Sequence, residues 1–395
     1  MAEYVGTRVS AQRRRARRAE DAAALAWRLD WVLIGAVAGL VGFGLWAIAG
    51  ITRHDVPGDP GHYVVRQAVF AGVGLVALVG AAAVDPKLWA RGRRVLYGAL
   101  IASLVLVLAV GAVIRGSQRW IDLGFFRFQP SEFGKVLLVL FLAAFLAERA
   151  KRLGEPGTLL GAVALTALPT ALVFIQPDFG TALVYLAVLT GTLFVSGARW
   201  LHLAVLGTAA ALVATSLVWL LPAAGVDVLR DYQQDRLTAL FDPESASPAT
   251  TYNAEQSITA VGAGGLDGRG VDGATQTRLD YLPEHATDFA FASLAEQRGF
   301  VGAAALLLLY LLLLWRALRI VSLAGDAFSA IAAGGIVCGL LFQIFVNVGM
   351  TMGIAPVTGI PLPFVSVGGS SMVANLAAVG ILLAVYARAP RRRQI

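Results

Sequence analysis

The chain has 395 residues, 57% of them hydrophobic and only 14% charged, and its apolar runs of about twenty residues are too long for a soluble core. Those runs lack the alternation of an outer-membrane barrel, which leaves an all-α polytopic membrane protein. The net charge of +7 sits at the ends of the apolar runs as topology signals, so nucleic acid is not an expected partner, and the single cysteine, Cys338, excludes an intrachain disulfide.

Residues 1–30 carry RRRARR (13–18) and no apolar core before Trp31, so they read as a basic tail and the first span as an anchor. Apolar windows predict ten spans near 31–50, 63–84, 95–114, 129–147, 157–175, 179–196, 201–221, 289–315, 327–349 and 366–387. They define a membrane domain over 31–387, followed by a second basic tail over 388–395. An even number of spans puts both termini on one side. KLWARGRR, ERAKRL, ARW, WRALRI and RAPRRR all fall there, and the positive-inside rule makes it the cytoplasm.

The other side receives short connections and one long loop, 222–288. Its mixture of apolar residues and glycines fits a loop folded against the bundle. Arg115, Arg119, Arg127, Glu132, Lys135, Asp178, Asp288, Glu296, Gln343 and Asn347 all map to this side. An ionisable group deep in the bilayer costs about 2.5–3.5 kcal/mol on insertion scales, so such groups face a cavity or a partner. One polar cavity, open on the outer side, is the expectation.

In RGSQRWIDLGFFRF (115–128), three arginines accompany Trp120. Arginine suits a phosphate or pyrophosphate through its planar fork, although interfacial anchoring also accounts for Arg115 and Trp120. In QPSEFGK (129–135), Pro130 belongs in a first helical turn, and Glu132 and Lys135 share a helix face and pair, for structure or for function. PDFGTAL (177–183) and GIPLPFVSVGGSS (359–371) read as broken, membrane-depth segments without chemistry of their own. In LPEHATDFAFASLAEQRGF (282–300), a helix starting before Asp288 puts Glu284, Asp288 and Glu296 on one face. Thr287 or Asp288 equally suits a helix cap, whereas a half-buried carboxylate near a cation such as Lys135 suits a general base.

The runs RWIDLGFFRFQPSEFGK, QPDFGTAL, QSITAVGAGGLDGRG, LPEHATDFAFASLAEQRGFVG and NVGMTMGIAPVTGIPLPFVSVGGSS together resemble the SEDS family of shape, elongation, division and sporulation proteins. ATQTRLDYLPE (274–284) is similar to the RodA branch more than to FtsW. Two positions depart from the family pattern. His285 lies one place early, leaving Ala286 before TDF, and Val367 stands where an aromatic residue is usual.

The resemblance implies a peptidoglycan glycosyltransferase of the bacterial inner membrane that polymerises lipid II. It implies Asp288 as the essential acid, with Trp120, Arg127, Glu132 and Lys135 at motif positions tied to activity. Asp288 would deprotonate the acceptor hydroxyl. Arg119, Arg127 and Lys135, with Trp120 beside them, would bind substrate and stabilise the leaving polyprenyl pyrophosphate, alone or with a Mg or Mn ion. The Glu132–Lys135 pair would serve activation, and Glu284, Glu296 and Asp178 are secondary candidates. The implied partners are a class B penicillin-binding protein and other membrane proteins of cell elongation. Rival readings are a lipid II flippase, which needs a polar path through both leaflets, a division enzyme and a scaffold.

Overall fold

The computed structural model describes residues 28–114, 117–124, 126–220, 222 and 248–390. Both basic tails for the most part, Arg115 and residues 223–247 of the long loop lie outside the described residues. In chain order the helices are α1 (Trp31–Ile51), α2 (His62–Ala83), the short α3 (Pro86–Arg91), α4 (Arg93–Val110), α5 (Pro130–Glu148), α6 (Pro156–Ile175), α7 (Phe179–Ser196) and α8 (Trp200–Thr215). Then come α9 (Pro248–Ala263), α10 (Gly270–Gly273), α11 (Thr275–Arg278), α12 (Ala290–Leu323), α13 (Ala327–Thr351) and α14 (Gly369–Ala387).

Nine of these helices are long and apolar enough to cross a membrane, among the described residues. The tenth expected span is α8, shorter than the rest and prolonged by a π-helical turn over Ser216–Leu220. The protein is an all-α, multi-pass membrane protein. Burial sorts its helices: 89% of the apolar window of α14 and 78% of that of α5 is enclosed by protein, against 17% for α2 and α4. α5, α7, α13 and α14 thus form the centre, and the mostly lipid-facing helices can be apolar all round.

Basic side chains gather at one end, on α3, at the start of α4, between α5 and α6, and after α14. The opposite end carries the loops. There the structure departs from the sequence reading in three places. The end of the span expected over 95–114 and the connection expected over 115–128 hold a small antiparallel sheet, β1 (Ala112–Ile114), β2 (Ser117–Asp122) and β3 (Arg127–Phe128), in the order β1-β2-β3. The last span begins at Gly369, because residues 352–368, which include most of the stretch read as a re-entrant segment, are non-helical.

The third departure is at α12, which is broken at Gly299 (φ 65°, ψ −166°). A Cβ there would lie 2.4 Å from both the Gly268 nitrogen and the Leu266 oxygen, so only glycine lets the glycine-rich loop press against the bend. The apolar run over 289–315 therefore holds a buried helical turn set before the span proper.

Candidate active site

Pro130 sits in the first turn of α5, where its missing N–H costs nothing, and places Glu132 and Lys135 one turn inside. The Lys135 Nζ donates to Glu132 Oε2 at 2.8 Å and to Gln343 Oε1 of α13 at 2.7 Å. Glu132 and Lys135 are 2% and 6% exposed, so this ion pair is desolvated. Gly134 between them admits Tyr185 of α7: a Cβ would lie 1.9 Å from the Tyr185 hydroxyl, which donates to the Ser131 carbonyl at 3.1 Å. The small cavity beneath the pair, about 30 Å³, is lined chiefly by Val, Leu, Ile, Gly and Ala.

Asp178 is a second hub. Its carboxylate caps α7 through the Thr181 N–H (3.2 Å) and accepts from the Gln129 side-chain amide (3.0 Å) and the Ser131 hydroxyl (3.1 Å). Arg119 of β2 faces it at 3.5 Å, bonds Ser117 Oγ and lies over Trp120 at 4.8 Å. Arg127 differs: its side chain is 61% exposed, and its nearest acid, Asp122, is 3.7 Å away. Asp178 and Arg119 thus join the sheet to α5 and α7, while Arg127 stands at the surface.

Asp288 is half-buried in the turn that precedes α12. The helix starts only at Ala290, so the cap position falls on Phe289, whose side chain makes no capping bond, and on neither Thr287 nor Asp288. Glu284 has a positive φ of 55°, and its carboxylate accepts from the Thr287 hydroxyl at 2.9 Å. The expected common face of Glu284, Asp288 and Glu296 does not exist, because the chain turns between the first and the last. Glu296 is fully buried and accepts from the Gln276 N–H (2.8 Å), the Thr277 N–H (2.9 Å) and the Thr277 hydroxyl (2.7 Å). A carboxylate at the N-terminus of α11 satisfies donors with no partner inside the helix, so Glu296 folds the ATQT stretch.

Sequence reasoning missed two participants, Gln67 and Asp30, and the partners of His285. Gln67 of α2 is 1% exposed, and the signal was one amide inside an apolar run. Asp30, assigned to the basic tail, is buried, caps α1, and binds Arg316 through Nε (3.1 Å) and Nη2 (2.5 Å). Arg316 is thus an internal partner as well as a basic flank. His285 bonds Asp55 of the loop after α1 at 3.1 Å and stands 3.6 Å from Asp280. Burial lowers its pKa, but the hydrogen bond and charge of Asp55, with Asp280, outweigh that and raise it above 6.5.

The matching runs now fall on one network: Arg119, Gln129, Ser131 and Asp178 interlock, Glu132 and Lys135 reach Gln343, and the turn of Asp288 packs on the segment before α14. The FtsW/RodA/SpoVE family model, described as cell cycle protein, matches residues 28–390. The chain belongs to the SEDS family. It is similar to the peptidoglycan glycosyltransferase MrdB of Escherichia coli K12, at 41% identity over 80% of this chain and 83% of the relative. It is also similar to stage V sporulation protein E of Bacillus subtilis, at 38% identity over 83% of this chain and 87% of the relative.

Among solved structures, it resembles a chain of a peptidoglycan synthase complex that coordinates polymerization and crosslinking (TM-score 0.77, 32% identity, 91% of this chain and 97% of that one). It also resembles the rod shape determining protein RodA of Thermus thermophilus (TM-score 0.67, 30% identity, 91% and 96%). The two departures from the SEDS pattern meet in space: the Val367 N–H donates to the Ala286 carbonyl at 2.9 Å. The two unusual residues therefore form a single local contact of this chain.

Proposed function

We propose that this SEDS protein is a peptidoglycan glycosyltransferase that polymerises lipid II on the outer side of the bacterial inner membrane, with Asp288 as the general base. One observation carries the reading. Gln343, which receives Lys135, and Asn347, which binds the Asp288 carbonyl at 2.8 Å, are one turn apart on α13, or about 6 Å. The buried ion pair and the acidic turn are thus mounted on one rigid element, as an activating pair and a base need to be.

In this reading Asp288 accepts the proton of the acceptor sugar hydroxyl as its oxygen attacks the anomeric carbon of the growing strand. The bond to the polyprenyl pyrophosphate breaks with inversion, and the leaving group departs with its electron pair. Arg127, the least committed of the three cations, meets the pyrophosphate, whereas Arg119 and Lys135 already face Asp178 and Glu132.

Among the described residues, no three His, Cys, Asp or Glu side chains converge as a metal cage. A Mg or Mn ion would take most of its ligands from the pyrophosphate. The mainly apolar lining of the small cavity beside Lys135 favours an enzyme over a flippase, which needs a polar path through both leaflets. The RodA-like ATQTRLDYLPE loop and the likeness to RodA and MrdB favour an elongation role, beside a class B penicillin-binding protein and with both termini cytoplasmic. The test is glycan polymerisation from labelled lipid II by purified protein, with and without that partner. Loss of product in Asp288→Asn is expected, and wild-type-like product refutes the base.

A further inference from the structure

The turn that carries Asp288 is held by its backbone. Three successive carbonyls each receive a donor from outside the turn: Ala286 from the Val367 N–H (2.9 Å), Thr287 from the Ser366 hydroxyl (2.5 Å) and Asp288 from the Asn347 side-chain amide (2.8 Å). The same Asn347 nitrogen donates to the Ile360 carbonyl at 2.7 Å, so one amide ties the turn to both α13 and the re-entrant segment. Ser366 is fixed in its turn: its hydroxyl accepts the Leu362 N–H at 2.9 Å, and its carbonyl accepts from Gln67 at 3.0 Å. Gln67 also receives the Gly368 N–H at 3.1 Å. Asn347 is fully buried, Gln67 is 1% exposed and Ser366 is 4% exposed, so the donor side of the clamp is enclosed by protein.

We infer that Asn347, Ser366 and Gln67 are positioning residues that form a clamp fixing the backbone of residues 286–288, and with it the height and direction of Asp288. The inference rests on the reading of Asp288 as the base. Two features go beyond ordinary loop packing. The donors address three consecutive peptide groups ending at the acid itself. They also reach the turn from α13 and from the segment before α14, which Gln67 of α2 holds in place, so a shift of any of these elements is transmitted to Asp288. Lys135 meets α13 one turn away through Gln343, so the helix and two hydrogen bonds connect the ion pair to the turn of the base. A misplacement of about 1 Å between reacting groups costs on the order of 100-fold in rate, so clamp variants slow the chemical step while substrate still binds.

The test uses the full-length protein with its penicillin-binding partner and labelled lipid II. Asn347→Leu keeps volume and removes the donor, Ser366→Ala removes one bond, and Ser366→Thr keeps the hydroxyl. The expected result is a 10- to 100-fold fall in kcat for Asn347→Leu and a smaller fall for Ser366→Ala. KM for lipid II stays within threefold, Ser366→Thr recovers, and the acid limb of the pH–rate profile moves with each impaired variant. A purely structural role lowers the rate equally at every pH. The clamp is overturned if both variants keep kcat within twofold, if the loss lies in KM, if the acid limb stays in place, or if neither variant yields a folded complex. Asp288→Asn runs alongside: activity there removes the base reading itself, whereas an inactive Asp288→Asn with a wild-type Asn347→Leu removes only the clamp.

Discussion

Breaking the Glu132–Lys135 pair one partner at a time should separate its structural cost from its function. In Lys135→Met, Glu132 loses its cation and Gln343 its donor at a site where both partners of the pair are nearly inaccessible. Removing one partner of a buried pair costs about 3–5 kcal/mol, against about 1 kcal/mol or less for an exposed pair. At about 2.1 cal/mol/K of unfolding entropy per residue, that corresponds to a fall in thermal midpoint of about 4–6 °C for a chain of 395 residues. Glu132→Leu leaves the ammonium with a single amide oxygen and should cost a similar amount. The double change removes both charges, and replacing a buried pair by apolar groups is neutral to stabilising by about 1–4 kcal/mol, so its midpoint should return to near that of the wild type. Thermal melting and lipid II polymerisation measured on the same preparations give both readouts. If the pair serves catalysis, the double variant is stable and inactive. Additive destabilisation in the double variant refutes the coupling, and a stable, fully active double variant shows that the pair only neutralises two buried charges.

Arg127→Ala should raise KM for lipid II about tenfold, the worth of roughly one charge-assisted contact, without changing the thermal midpoint, while Arg127→Lys falls between; equal effects on melting and KM contradict the assignment. Arg119→Ala should instead destabilise, because Arg119 is the cation facing the buried Asp178. The His285 pKa is raised above 6.5 in the folded protein, so the His285–Asp55 bond contributes stability that is complete below about pH 6.5 and lost as pH rises through the folded value. The difference in midpoint between wild type and His285→Asn should shrink with rising pH; a difference that grows reverses the sign and rejects the ion pair. Glu296→Ala leaves two N–H groups at the start of α11 unsatisfied and should cost about 2–3 kcal/mol and expose residues 270–280 to limited proteolysis; unchanged cleavage counts against that anchor.

The membrane helices were legible because a bilayer demands long apolar runs, and nine of the ten expected spans are helices long and apolar enough to cross one, α8 being too short among the described residues. Glu132 and Lys135 were legible because the pair lies within one helical turn. Glu296 was misread for the opposite reason. Its spacing from Asp288 mimics a helix face, but its partners are backbone groups about twenty residues upstream, and the turn before Ala290 destroys the periodicity. Gln67 and Ser366 are 299 residues apart, so no local pattern joins them. Asp30 was hidden among basic residues, whose charge reads as topology, although its carboxylate is the partner that buries Arg316. The strand pairing of 112–128 was obscured because arginine, tryptophan and phenylalanine also mark an interfacial segment.

The central claim is that Asp288 takes the proton from the acceptor hydroxyl. It is tested most directly by comparing single-turnover glycan polymerisation by wild-type and Asp288→Asn protein, each saturated with lipid II and bound to the same penicillin-binding partner. The Asn variant is expected to bind lipid II and partner as the wild type does and to form no glycan strand. Glycan synthesis by that variant at a rate near that of the wild type would contradict it.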